Sequence, residues 1–399
     1  MNVFFIPSWY PSITNPLPGI FFKDQAIALA GHYPGLNIGI STWGQNDDRL
    51  LLWSKQPVRS FMKVLMSKPQ QSIHKLNDNL IEYFTPTYTW TSKIKRGNMK
   101  NILAANLHNF HAFEQSSGKV DLLHAHVGFP AGYLAEKLAE IHNVPYIITE
   151  QMSPFPHKYF IDSEGMLNER LLMAFQNSTK NIAISKALAN KMKRFDIQNV
   201  SVIANLVDEN FFKPAEPALK NEKFTFFSLG RIVPQKGIDI LLHAFAKLKE
   251  DAQLKIGGDG EYVKQYQKLA KSLNIEQKVR WLGRLDRTSA LKEYQCCDAF
   301  VLPSRHESMG VVFAEAMACG KPVIGTVCGG PEEFINASNG IIVPPEDISA
   351  LAGAMGKMIT NYHVFDPKKI RAQFEERFSS KVVCSQIRNV YEEVVESCG

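Results

Sequence analysis

The sequence predicts an α/β protein made of two doubly wound, Rossmann-like domains facing across a cleft. Three observations lead there. The chain has 399 residues, more than one ordinary domain holds, so two domains of roughly 200 residues each are expected. Short β-rich runs alternate with helical patterns from end to end, as in parallel sheets covered by helices. The alternation breaks near the middle, where Pro214-Ala215-Glu216-Pro217 reads as a linker.

In the first half, strands are expected at 3–6, 36–40, 122–125, 146–149, 181–184 and 200–203. A helix is expected at 132–141, where Leu134, Leu138 and Ile141 recur at helical spacing. In the second half, strands are expected at 224–229, 254–256, 279–282, 299–302, 323–325 and 340–343. The helix at 238–248 presents Leu241, Leu242, Phe245 and Leu248 on one face. The resulting domains are 1–205, a linker at 206–222, and 223–378. Residues 379–399 form a last helix, whose Val382, Val383, Ile387, Val390 and Val394 dock back towards the first domain. Ligands of such sheets bind beyond the carboxyl ends of the strands, which places the site in the cleft.

Composition excludes several classes. An apolar content of 45% with 21% charged residues is globular, and no run approaches the ~20 apolar residues of a membrane span. The first residues, Met1-Asn2-Val3-Phe4-Phe5-Ile6-Pro7, lack a basic leader region and read as a strand. All six cysteines (Cys296, Cys297, Cys319, Cys328, Cys384, Cys398) lie in the second half without zinc-like spacing, and are read as reduced thiols of a cytoplasmic protein. The net charge of +6 is carried by the first half. Within 51–100 there are nine basic residues (Lys55, Arg59, Lys63, Lys68, Lys75, Lys93, Lys95, Arg96, Lys100) against two acids, interleaved with Trp53, Phe61, Met62, Leu65, Met66, Tyr83, Phe84, Tyr88 and Trp90. Two readings compete for this segment: a solvated face, or a peripheral contact with anionic lipid. Nucleic acid is not expected as a partner.

The most informative stretch is Ser304 to Ile324. Glu307 and Glu315 stand eight positions apart across a glycine and good helix formers. A helix beginning near Gly310 puts Glu315 in its second turn and Glu307 in the loop before it. Its first turn offers free backbone N–H groups and a positive dipole end. Leu229-Gly230-Arg231 through Lys236-Gly237 follows a strand and opens a helix. Gly230 is read as the residue that lets the chain turn. Arg231 and Lys236 are either surface ion pairs or two fixed cations that stabilise a departing diphosphate without a metal. Gly19 sits in a Pro/Gly loop before a helix expected near Phe22, either as a plain connection or as a close approach to phosphate or sugar. Gly257-Gly258-Asp259-Gly260 reads as a tight turn lining the cleft. His124 and His126 alternate at a strand end: His126 points into the cleft, and His124 is a buried histidine at the sheet edge. A metal pair lacks a third ligand at sensible spacing. Gly329 and Gly330 border the nucleotide, and the acids Glu332 and Glu333 suit a helix start.

Taken together, these residues resemble the retaining glycosyltransferases of family 4, which have the GT-B fold. The resemblance covers nearly the whole chain and is strongest over 224–345, where five motifs occur in the family's order. It implies that the first domain takes the acceptor and the second the nucleotide-sugar donor. It implies that Arg231 and Lys236 bind the donor diphosphate, Glu315 the ribose, and Glu307 the hydroxyls of the transferred sugar. Backbone N–H groups at Met309, Gly310 and Val311 complete the phosphate cradle. Gly19 and Gly230 match glycines of the donor site, and Gly283 and Arg284 match the strand end lining the base pocket. His126, Glu150 and Gln151 fall on the acceptor or sugar side. Many relatives carry a histidine where this chain has Gln151, whose amide hydrogen-bonds a hydroxyl but does not titrate. Met309 replaces a commoner aromatic residue.

The expected protein is a metal-independent, retaining hexosyltransferase needing no cofactor beyond its donor, a UDP- or GDP-sugar. Its acceptor is a glycan or lipid-linked saccharide, as in assembly of bacterial surface polysaccharide or lipopolysaccharide at the inner membrane face. Two rivals remain at this point: a sugar-nucleotide epimerase of the same fold, and a non-catalytic nucleotide-sugar-binding partner inactivated at Gln151.

Overall fold

A computed structural model describes residues 1–53, 56–67, 69–90, 98–217 and 221–398. The chain forms two compact units. The first is Met1–Ile184 with Ala189–Leu206 and Val383–Gly399; the second is Val207–Val382 with Ser185–Leu188.

The first unit is built on an eight-stranded sheet. Its order is Val200–Val202, Lys180–Ala183, Tyr146–Glu150, Leu122–His126, Asn2–Pro7, Asn37–Thr42, Leu80–Phe84 and Ser72–Asn77. All pairings are parallel except the last, where Ser72–Asn77 runs antiparallel to Leu80–Phe84. The central strand Asn2–Pro7 is buried along nearly its whole length, as expected where helices cover both faces of a parallel sheet. The edge pair escapes sequence reading because Ser72–Asn77 is largely exposed and polar. Strand order reverses between Asn2–Pro7 and Leu122–His126, which makes the carboxyl ends of those two strands the crevice of this unit.

The C-terminal helix Ser380–Cys398 belongs to this unit from Val383 onward. Val383, Ile387, Val390, Tyr391 and Val394 sit in the same buried cluster as Val3, Phe5, Ile38, Ile40 and Ile147.

The second unit carries six parallel strands in the order Val279–Gly283, Ala252–Gly257, Phe224–Leu229, Ala299–Val301, Val323–Thr326 and Gly340–Val343. This is the 3-2-1-4-5-6 order of dinucleotide-binding sheets, and its reversal lies between Phe224–Leu229 and Ala299–Val301.

Residues 207–217, read from the sequence as linker, are part of the second unit. Val207 bridges to Ser379, and the Arg371 guanidinium donates to the carbonyls of Glu209 and Phe212. Arg287 lies over the rings of Phe211 and Phe212. An aromatic pair that finds a cation and a core packs down, whatever its proline-rich flank suggests.

No helix among the described residues is long and apolar enough to cross a membrane. Of the basic segment, Lys55, Lys68, Lys93, Lys95 and Arg96 lie outside the described residues.

Candidate active site

At the crevice of the second unit, the strand Phe224–Leu229 delivers Gly230 and Arg231, and the strand Ala299–Val301 delivers the loop from Leu302 to Gly310. Several contacts lock the two loops together. Gly237 has φ of 66°, and a Cβ there would come within 2.0 Å of the Pro303 carbonyl oxygen. The Arg305 N–H donates to the Gln235 carbonyl at 2.8 Å, and the Gln235 amide returns a bond to the His306 carbonyl at 3.1 Å. The Arg305 guanidinium forks onto Asp239 at 3.0 and 2.7 Å and also pairs with Glu346. Burial, the largest single influence, pushes the Asp239 carboxyl up, but Arg305 and the N–H groups of Asp239 and Ile240 hold it below its usual range.

This frame brings Lys236 to Glu307. The Lys236 Nζ lies 2.6 Å from Glu307 Oε1, and the Ser304 hydroxyl donates to the same oxygen at 2.7 Å. Glu307 is buried, so its charge is compensated twice over. Arg231 is exposed, and no carboxylate pairs with it among the described residues. The two cations expected to act together therefore differ: one is held by a carboxylate, and the other is open to a ligand.

The helix Val311–Ala318 begins as expected after Gly310, whose φ of 83° is left-handed and whose missing Cβ leaves room for the Phe313 ring at 2.7 Å. Glu315 sits in its second turn, where the Tyr294 phenol donates to Oε2 at 2.7 Å. Burial and then the Glu315 charge push the Tyr294 phenol well above its ordinary value, so it stays a donor. Met309 is buried and backed by Gly330, where a Cβ would meet the Met309 Cα at 2.5 Å. Gly329 packs as closely on the Glu307 carbonyl oxygen, at 2.6 Å. The two glycines thus support the Glu307–Met309 backbone. Glu332 accepts from the Gly329 and Cys328 N–H groups, and Glu333 accepts from the Ala187 N–H. The acids cap loops, and Pro331–Glu333 is only a single tight turn.

Two glycine expectations change. Gly230 has no left-handed φ, and a Cβ on it would meet only Lys236 methylenes at 3.8 Å, so the turn does not require it. The steric demand belongs to Gly258, with φ of 127° and a virtual Cβ 1.8 Å from the Gly230 carbonyl oxygen. Gly260 packs likewise on the Ile232 carbonyl oxygen at 2.2 Å. The Gly-Gly-Asp-Gly turn is a buttress behind Gly230–Ile232. Gly283, with φ of 68° in open space, and exposed Arg284 end the neighbouring edge strand.

In the first unit, Gly19 caps the helix Ile20–His32 with φ of 76°, and a Cβ would strike the Trp9 carbonyl at 2.5 Å. That helix starts two residues before the expected Phe22. The Trp9–Gly19 loop is anchored by Tyr10, whose hydroxyl bonds Glu82, itself paired with Lys23 at 2.9 Å.

His126 does not open outward as expected. It is fully buried against Phe5, Phe22 and His124, and neither ring nitrogen has a hydrogen-bond partner among the described residues. Burial pulls it from near 6.5 down to about 3. His124 lies mid-sheet, not at the edge, bonded to Tyr391 and Thr149 at 2.7 Å each. The Glu150 carboxylate accepts from the N–H groups of Gly128, Gln151 and Met152. Burial raises its pKa, and those three bonds oppose the rise. Glu150 is thus consumed in shaping the loop. The Gln151 side-chain carbonyl accepts from Asn205 Nδ2 at 2.9 Å, while the buried Gln151 Nε2 has no partner among the described residues.

Comparison with known proteins decides the family. Residues 209–378 match the family of glycosyl transferases group 1, and residues 83–211 match Glycosyltransferase Family 4. A glycosyltransferase of Methanocaldococcus jannaschii without an assigned substrate is 30% identical over 281 residues, covering 69% of this chain and 76% of the relative. The chain belongs to glycosyltransferase family 4. This glycosyltransferase is a hexosyltransferase of the GT-B fold. A GDP-mannose-dependent monoacylated α-(1-6)-phosphatidylinositol monomannoside mannosyltransferase of Corynebacterium glutamicum is 29% identical over 211 residues, covering 46% of this chain and 54% of that one. Among solved structures, sucrose-phosphate synthase from Thermosynechococcus elongatus superposes with a TM-score of 0.76 at 19% identity, covering 100% of both chains.

Ser304, Tyr294 and Asn205 each bond a carboxylate or amide of the glycosyltransferase's candidate site, and sequence reading assigned none of them a role. Ser304 stands three residues before Glu307. Tyr294 and Asn205 lie 21 and 54 residues from their partners, and no local spacing signals such contacts.

Proposed function

We propose that the protein is a retaining, metal-independent glycosyltransferase that moves a hexose from a UDP- or GDP-sugar to a glycan or lipid-linked acceptor. The observation that carries this reading is the Lys236–Glu307–Ser304 cluster beside the uncommitted Arg231, at the strand-order reversal of a 3-2-1-4-5-6 sheet. A diphosphate arriving there competes with Glu307 for Lys236 and takes Arg231 outright. Two fixed cations then stabilise the charge that develops on the leaving group. Glu307, displaced from Lys236, accepts hydroxyl protons of the sugar, and Glu315, aligned by Tyr294, accepts those of the ribose.

In the retaining course, the bond from sugar C1 to the diphosphate oxygen breaks and the acceptor oxygen bonds C1 on the same face. The acceptor proton passes to the departing diphosphate, so no titrating group is needed at Gln151. The first unit takes the acceptor, with the partnerless Gln151 N–H groups as donors to a sugar oxygen. The basic composition of residues 51–100 supports peripheral contact with an anionic membrane. Together with the family resemblance, it supports work at the inner face, in assembly of a bacterial surface polysaccharide.

The test is a thermal-shift screen of purified protein against UDP, GDP, ADP and their hexose conjugates, with chelator present. Stabilisation by one nucleotide fixes the donor class, and transfer from that donor is then followed by the anomeric configuration of the product. A strict Mg²⁺ or Mn²⁺ requirement overturns the metal-free account, and an inverted product overturns retention.

A further inference from the structure

The helix Pro57–Ser67 is amphipathic with its faces reversed. In a surface helix the apolar stripe turns to the core. Here Val58, Phe61, Met62, Leu65 and Met66 share one face at i, i+3, i+4 and i+7 spacing, and that face is in solvent: Val58 is 76% exposed, Phe61 64% and Met66 77%. The residues that hold the helix down are polar. Ser60 is buried, accepting from the Trp53 N–H at 2.8 Å and donating to the Trp53 carbonyl. Lys63 donates its ammonium to the Asp48 carbonyl at 2.8 Å. An apolar face this continuous on a helix fixed by polar contacts marks a docking surface rather than scattered exposure.

We propose that the outward face of Pro57–Ser67 inserts into an anionic lipid surface. This rests on the peripheral-membrane part of the reading above and names the element that makes the contact. The occupant follows from charge. From Arg49 to Asn77 the chain holds six basic residues and not one Asp or Glu; Arg49 and Lys75 pair with the flanking Asp47 and Asp78, and Arg59 and Lys63 stand on the helix itself. A second copy of this chain docked face to face would set those charges against each other. An anionic membrane offers both apolar depth and compensating headgroups. Trp53, 40% exposed just before the helix, is an aromatic suited to the headgroup level.

The test is co-sedimentation of the full-length protein with vesicles of phosphatidylcholine containing one quarter phosphatidylglycerol, and with pure phosphatidylcholine, at moderate salt. Wild-type protein is expected to bind the anionic vesicles preferentially. The double variant Phe61→Glu, Leu65→Glu is expected to lose at least about ten-fold in partitioning. Both positions face solvent, so its melting temperature and its nucleotide-induced thermal shift should match wild type. Wild-type binding retained by the double variant overturns the helix assignment and leaves membrane contact by other residues standing. Failure of wild-type protein to bind either vesicle overturns both. A dimeric wild type made monomeric by the double variant, without vesicle binding, assigns the face to a second copy and overturns the proposal.

Discussion

The two units solve the same topological problem with opposite electrostatics. Both sheets reverse strand order beside their first strand, and both place a glycine-dependent loop and a polar cluster at that reversal. In the second unit the cluster is ionic: Lys236 on Glu307, Arg305 on Asp239, and Arg231 uncommitted. In the first it is buried and held by directional bonds, with His126 driven towards neutrality, Glu150 closed on three backbone amides, and Gln151 fixed by Asn205. Fixed charges at a strand-end crevice suit an anion. Oriented neutral amides suit hydroxyls, which need direction more than charge. A shared architecture therefore says little about what each half binds; the side chains at the reversal decide it.

Substitutions can break that contrast. The largest effect is expected from Lys236→Ala, which removes one of two cations and leaves the buried Glu307 carboxylate without its ion-pair partner. Turnover should fall on the order of 100-fold, read by steady-state kinetics with the donor found in the nucleotide screen; an unchanged rate would return Lys236 to a structural ion pair. Next comes the buttress. Gly258→Ala forces a Cβ into the Gly230 carbonyl at a left-handed φ and should cost about 2 kcal/mol or more in denaturant unfolding. Gly230→Ala, whose Cβ would make only ordinary contact with the Lys236 methylenes, should stay within about 0.5 kcal/mol and yet weaken nucleotide binding. Equal destabilisation by the two would refute the division of labour between these glycines.

Glu315→Ala should lower turnover at least about ten-fold with the fold intact, and Tyr294→Phe should raise the donor KM by a smaller factor in the same direction. In the neutral cluster the sign is set by protonation. His126 titrates near 3 when folded and near 6.5 when unfolded, so its contribution is fully present above about 6.5 and is lost as pH falls towards 3. His126→Leu should flatten that acid limb in a pH series of melting temperatures. It should be neutral or stabilising at pH 7, because it removes two unpaired buried nitrogens. His124, also depressed by burial, keeps part of the slope. The smallest effect is expected from Asn205→Ala, which frees the Gln151 amide to turn: a few-fold rise in acceptor KM with kcat nearly unchanged. A fall in kcat alone would place Gln151 elsewhere in the reaction.

The second unit was the more legible in sequence for a physical reason. Glu307, Gly310 and Glu315 lie around one helix start, so their spacing along the chain predicts their spacing in space, although Lys236 and Gly237 meet Glu307 and Pro303 only through the fold. The first unit hides its logic in tertiary contacts. Nothing near His126 announces that Phe5 and Phe22 close over it, and nothing near Gln151 announces Asn205. The strand Ser72–Asn77 was missed because an exposed edge needs no apolar run. The error at Gly230 has the same root: sequence showed several glycines in two neighbouring turns but not which one the other turn presses against.

The placement of Val383, Ile387, Val390, Tyr391 and Val394 in the first unit's core bears on how the protein is made. Leu206 leaves the ribosome with that core still missing one wall, and the whole second unit is translated before the wall arrives. At roughly 5–20 residues per second that delay is on the order of ten seconds or more, during which the apolar side of the sheet stays open to chaperones and to misplaced neighbours. The half that begins first is the half that finishes last. A fragment cut at residue 206 should therefore misbehave when expressed alone, and should be rescued by supplying residues 383–398 as a separate peptide or as a fused leader.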